Sequence, residues 1–180
     1  MSQTPKAAAP AVEIAIDGGD WPPEAEISGW FEDALDAAAR ELGLYLRYGE
    51  ISAVLLDDVA MAELNAAHRG QNKPTNVLSF PAFAPQDVTA LDTSKPFLLG
   101  DLVFADGVIA REALAAGLSI HHHMAHLVVH GFLHLLGYDH LNDEDADAME
   151  ALEARILARL DIADPYKDGD HGHATRTAGG

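Results

Sequence analysis

From Ala113 to Tyr138 the chain runs for 26 residues without one Asp, Glu, Lys or Arg. A stretch this long and uncharged belongs away from water, so it constrains the fold more than any other part of the sequence. A hydropathy window would flag it as a membrane span, but six of its residues are histidine, a poor choice for contact with lipid. The expectation is therefore a buried helix over about 119–136, preceded by another over about 107–116. The N-terminal MSQTPKAAAPA has no apolar stretch long enough for a signal peptide, which makes a soluble, cytoplasmic protein the expectation.

The charges stand elsewhere. The formal net charge is −18, from 29 Asp and Glu against 11 Lys and Arg. Between Leu64 and Asn142 there are six acids and four bases, so −16 of the total lies outside that segment. No acid stands between Leu64 and Gln86, and eight of the ten histidines fall in the same central region. As an average, such acidity argues against coating nucleic acid or anionic membrane by bulk charge. Resolved along the chain, it describes a near-neutral, histidine-rich middle inside an acidic coat. There is no cysteine, which removes disulfides, thiolate metal sites and Cys nucleophiles together.

With 180 residues, 48% of them apolar, the chain fits one domain with tails. Residues 1–10 and 164–180 are expected to be disordered tails around a single domain over 11–163. Strands are expected at 12–16, 50–56, 76–80 and 101–104. Pro22 and Pro23 open a helix to about Leu42, with Ile27, Trp30, Phe31, Leu35 and Ala38 as its core stripe. Asp57 or Asp58 caps a helix ending near Gly70, and Asn142 caps a last amphipathic helix lined by Ala146, Met149, Leu152, Ile156 and Leu160. Residues 82–98, with two prolines, read as an irregular excursion. Without regular βαβ alternation, this predicts an α+β fold: a small mixed sheet of about four strands packed with four to six helices.

The chemistry is concentrated in His130-Gly-Phe-Leu-His134-Leu-Leu-Gly137-Tyr-Asp-His140. Two histidines four apart on a helix project from one face about a turn apart, so one tetrahedral ion can take a nitrogen from each. Gly137 permits the left-handed turn that ends a helix, and His140 just beyond it supplies a third nitrogen. This places a metal site on a helix and the turn after it, with zinc first and nickel or copper as alternatives. Three protein ligands leave an open position for water, the mark of catalytic rather than structural zinc. Gly131, costly inside a helix, reads either as open space beside His130 or as a packing contact with another helix. The spacing H-x-x-x-H-x-x-G-x-x-H is that of metzincin peptidases, but those need Glu directly after the first His as general base. Gly131 holds that position, which leaves peptide hydrolysis without its base.

The run HGFLHLLGYDH resembles the signature of the YbeY family of metal-dependent endoribonucleases. Leu64-Asn65-Ala-Ala-His68-Arg69-Gly70 and Lys73-Pro-Thr75-Asn76-Val-Leu-Ser79-Phe-Pro81 resemble its second motif. Gly100-Asp101-Leu-Val-Phe, then Ala110-Arg111-Glu112, resembles its third. The likeness spans about residues 50–157. Many members carry Asp where Asn76 stands, so an acidic role there is not available to this chain. The resemblance implies His130, His134 and His140 as ligands of one Zn²⁺, or another divalent transition metal, per chain. It implies Arg69 and, with the metal, His130 as catalytic residues. Without the resemblance, Arg69 reads as an arginine at a helix end, interacting with the last carbonyls.

What the resemblance implies overall is a zinc-dependent, single-strand-specific endoribonuclease in ribosomal RNA maturation, at the 16S rRNA 3′ end, and in ribosome quality control. Its partners would be single-stranded and ribosomal RNA, the small ribosomal subunit and assembly factors, with no DNA and no membrane. The rivals are a non-catalytic ribosome-assembly factor with structural zinc and, third, the metallopeptidase. Asp139 reads equally as an orienting acceptor or fourth ligand and as a plain turn residue. His126 reads as a buried or surface histidine, with the cleft as its alternative, and His121 to His123 read as solvated surface. Thr75 and Ser79 are candidate phosphate donors or plain backbone partners.

Overall fold

Each helix is delimited by a local signal. In a computed structural model that describes residues 6–167, β1 (Ala11–Ile16) leads to α1 (Glu24–Leu42), which Pro23 opens and Gly43 ends in the left-handed conformation. After β2 (Gly49–Leu56), Asp57 caps α2 (Asp58–Arg69) by accepting the Ala60 N–H at 2.8 Å. Then come β3 (Val77–Pro81), the single turn α3 (Pro85–Val88), β4 (Phe97–Ala105) and α4 (Asp106–Ala116). Ser119 caps α5 (Ile120–Leu135), and Asn142 caps α6 (Asp143–Ala158) with acids throughout its first turn.

The four strands form one mixed sheet in the order β1-β2-β4-β3. β1 and β4 run parallel to β2, and only β3 is antiparallel, Ser79 lying opposite Leu102. This is the expected α+β class. The mixed sheet is as expected, but strands and helices alternate from β1 to α4, which the sequence reading did not anticipate because α3 is a single turn. β4 also begins at Phe97, inside the stretch expected to be irregular. A register shift beside Glu50 and Ile51 and a positive φ of 151° at Gly100 let it keep pairing where an unbroken pleat would fail. Of the two stretches expected as tails, 1–5 and 168–180 lie outside the described residues. Within the rest, Ala8 bridges to Tyr45, and Tyr166 reaches the side chain of buried Glu153.

The main core lies on one face of the sheet, under α1, α5 and α6. Phe31 and Phe104, both fully buried, meet edge to face with centroids 5.4 Å apart. A smaller cluster of Leu56, Met61, Leu78, Val103 and Ala105 packs with α2 residues on the other face. α5 is the central helix: twelve of its sixteen residues are buried, from His123 onward. Gly131 explains its close seat. A Cβ there would meet Leu102 Cδ2 at 2.7 Å and Ser79 Oγ at 3.4 Å. The glycine faces the sheet and brings the helix down onto it; neither open space beside His130 nor a neighbouring helix accounts for it. Replacing Phe104 with Ala is expected to destabilise the domain by about 3–5 kcal/mol, read from urea denaturation.

Candidate metal centre

His130 and His134 stand one turn apart near the end of α5, their ring centroids 4.6 Å apart and their Nε2 atoms 3.1 Å apart. Two imidazole nitrogens on one tetrahedral ion sit roughly 3.3 Å apart, so the pair is set at the spacing an ion requires. The helix then ends in a Schellman turn. The Gly137 N–H donates to His134 O and the Tyr138 N–H to Leu133 O, both at 3.0 Å. Gly137 has φ of 93°, and a Cβ on it would meet Pro85 Cα at 2.9 Å, so both conformation and space demand glycine. The turn swings His140 back to ring-centroid distances of 5.1 Å from His134 and 6.0 Å from His130.

The three histidines singled out from the sequence are thus brought together. One ligand atom each from His134, Asp139 and His140 lies within 4.8 Å of the others, a group able to hold a metal ion. Asp139 also accepts the His140 backbone N–H at 2.8 Å, so it serves the turn as well as facing the cluster. Imidazole with a carboxylate is a donor set that suits divalent transition metals.

A residue that the sequence reading missed lies directly behind. Glu153 of α6 is fully buried, and its Oε1 accepts from His130 Nδ1 at 2.6 Å. Its Oε2 accepts from His126 Nε2 at 2.9 Å and from the Tyr166 hydroxyl. Burial alone would raise the Glu153 carboxyl, but the hydrogen bonds from His126 and His130 outweigh it and hold the group well below the usual carboxylate range. Burial, and then the charge of Glu153, push the Tyr166 phenol far up. Burial, with His130 and His140 close by, lowers His134 to about 4, leaving its imidazole neutral and able to act as a ligand near neutral pH. The signal for Glu153 was present: it lies four residues after Met149 and seven after Ala146, on the apolar stripe of an amphipathic helix.

His140 lines a recess with His130, Glu153 and Tyr166, while His130 and His134 face a separate cavity of about 200 Å³ whose lining also includes Arg69, Ser79, Tyr138 and Asp139. Arg69, the last residue of α2, enters it beside the edge strand β3. The exposed Lys73 and the half-buried Thr75 do not line it. His126 is buried against Glu153 and Tyr166. The reading of His121 to His123 as surface needs correction. His123 is buried and bonded to Glu112 at 2.7 Å, and His121 stacks on Trp30 at 5.0 Å. Buried Asn76 donates to both Glu112 oxygens, at 3.3 and 3.0 Å. An Asp there would set two carboxylates against each other.

Fold and site together define an α+β protein with a cleft that can hold a metal ion beside an arginine. The profile of the family described as Endoribonuclease YbeY matches residues 17–161. The chain is 46% identical to the Endoribonuclease YbeY of Sinorhizobium medicae strain WSM419 over 165 residues, 87% of this chain and 95% of that one. It is 47% identical to that of Rhizobium meliloti strain 1021, again over 87% and 95% of the two chains. The solution structure of TM1509 from Thermotoga maritima shares the fold, with a TM-score of 0.51 at 23% identity over 88% of this chain and 97% of that one. The chain belongs to the endoribonuclease YbeY family. No helix among the described residues is long and apolar enough to cross a membrane.

In metal-free protein, His134 takes up its proton only near pH 4, against 6.5 for an ordinary histidine. Between those values the unfolded chain binds the extra proton. The stability due to neutral His134 is therefore complete above about pH 6.5 and is lost as pH falls toward 4. Urea denaturation with chelator present is expected to show that decline, and His134→Gln to flatten it.

Proposed function

We propose that this chain is a zinc-dependent, single-strand-specific endoribonuclease acting in ribosomal RNA maturation and ribosome quality control. Its catalytic domain spans residues 11–163. The observation that carries the reading is the lining of one cavity by Arg69, His130 and His134, in a chain 46% identical to a protein named endoribonuclease. His130, His134 and His140 would hold the ion through imidazole nitrogens. The chemistry such a divalent ion would supply there is Lewis acidity, which would lower the pKa of a water toward ~7 and draw charge from a phosphate oxygen. Arg69 supplies what a phosphodiester needs besides: a guanidinium that keeps its charge and pairs with two phosphate oxygens at once. Ser79, on the wall of the same cavity, offers a hydroxyl to the substrate backbone. Peptide hydrolysis is disfavoured, because the position where a metzincin carries its base is Gly131, whose absent side chain would point at Leu102 and Ser79.

The substrate reading assigns the 16S rRNA 3′ end as target and the small ribosomal subunit as the partner that presents it, in the cytoplasm. The acidic coat supports this division. With −18 overall, the surface offers free RNA little attraction away from the cleft, so selection falls to a partner.

Purified protein with zinc is expected to cleave single-stranded RNA, with Arg69→Ala and His134→Ala each reducing the rate at least about a hundredfold. Wild-type cleavage by both variants would place the activity elsewhere. Retained ribosome maturation by Arg69→Ala, together with unfolding on chelation, would favour the assembly-factor reading. Fluorescence anisotropy should find weak, salt-sensitive binding to short arbitrary RNA. Nanomolar affinity would contradict selection by a partner.

A further inference from the structure

We propose that Glu153 is the positioning residue of the metal centre: its carboxylate fixes the tautomer and rotation of His130, and Tyr166, from beyond the last helix, locks it in place. The inference presumes the metal reading of the histidines and adds to it the residue that prepares them.

An ionised carboxylate can only accept hydrogen bonds. Glu153 Oε1 lies 2.6 Å from His130 Nδ1, so that nitrogen carries the ring's hydrogen. His130 Nε2 is left with its lone pair, turned toward His134 Nε2 at 3.1 Å. The other tautomer would place a hydrogen where the ion must bind. A carboxylate behind a ligating histidine also raises the basicity of the ring and holds its plane.

Glu153 is itself over-determined. Its second oxygen takes the His126 Nε2 hydrogen at 2.9 Å and the Tyr166 hydroxyl hydrogen. With no exposed surface on Glu153, little water competes for these contacts. The same face of α6 buries Met149, Leu152 and Ile156, so a leucine would suit the position without the cost of desolvating a charge. The carboxylate is explained by what its oxygens orient. Tyr166 is held for this contact by a turn in which its N–H donates to Asp164 Oδ1 at 2.8 Å. The segment after α6 is thereby coupled to the metal centre through the Tyr166 hydroxyl, which meets both Glu153 and His126.

Zinc affinity of the full chain, measured by competition with a chromophoric chelator, tests this without reference to cleavage. Glu153→Gln keeps the size but loses the charge and half of the acceptor capacity. It is expected to weaken zinc binding about ten- to a hundredfold, and Tyr166→Phe by a smaller factor, about threefold. A folded Glu153→Gln variant that binds zinc within twofold of wild type would overturn the proposal. Where that substitution prevents folding, nitrogen-15 NMR of the histidine rings in chelated wild-type protein decides. The Nδ1–H tautomer of His130 is required, and the Nε2–H tautomer refutes the assignment. Wild-type protein that takes up no zinc removes the metal reading itself, and this inference with it. Zinc-binding wild type with an indifferent Glu153 removes only the inference.

Discussion

A helix enclosed by its neighbours must find a partner for every polar group it carries, since one left unpaired costs about 1–3 kcal/mol. α5 meets this demand by drawing carboxylates from the helices on either side. Glu112 of α4 serves His123, and Glu153 of α6 serves His126 and His130. The histidine row therefore helps to dock α4 and α6, and those helices in turn aim the rings. Structure and site share one set of contacts, and the cleft lies at the end of the row where α5 gives way to the Schellman turn.

The reading from sequence went furthest where signals are local. Helix caps at Asp57 and Asn142, the i, i+4 histidines and the Gly137 turn depend on neighbours in the chain, and each took the expected form. Pairing between distant segments was less legible. Alternation marks which face of a strand is buried but not the direction of its partner, so a mixed sheet was legible while the assignment of β1, β2 and β4 as its parallel strands was not. The place of Glu153 on the apolar stripe was legible, but its role was not, for the same reason. A glutamate on a helix rich in acids resembles solvated surface until its partners, 23 and 27 residues away, are seen. Gly131 carried a visible cost but not its cause, which is a leucine on a strand.

Acidity is placed where it does mechanical work. Glu24 and Glu26 stand in the first turn of α1, and Asp143, Glu144 and Asp145 in that of α6, where negative charge complements the helix dipole. Within the cavity that His130 and His134 share, Asp139 is the one acid and Arg69 the one permanent cation among the described residues of the lining. The charge density of the coat is thus not the charge density of the cleft, and a phosphodiester meets a surface unlike the average.

The arginine and the histidines belong to different packing units. His130 and His134 are borne by α5, whose apolar residues lie within the large core with those of α1 and α6. Arg69 ends α2, whose contribution to the opposite face packs on a cluster of five buried residues. The site is consequently a seam between two packing units, and the distance from guanidinium to imidazoles is set by how α2 seats on its own face of the sheet, where Asp58 ties it to Val108 and Arg111 of α4.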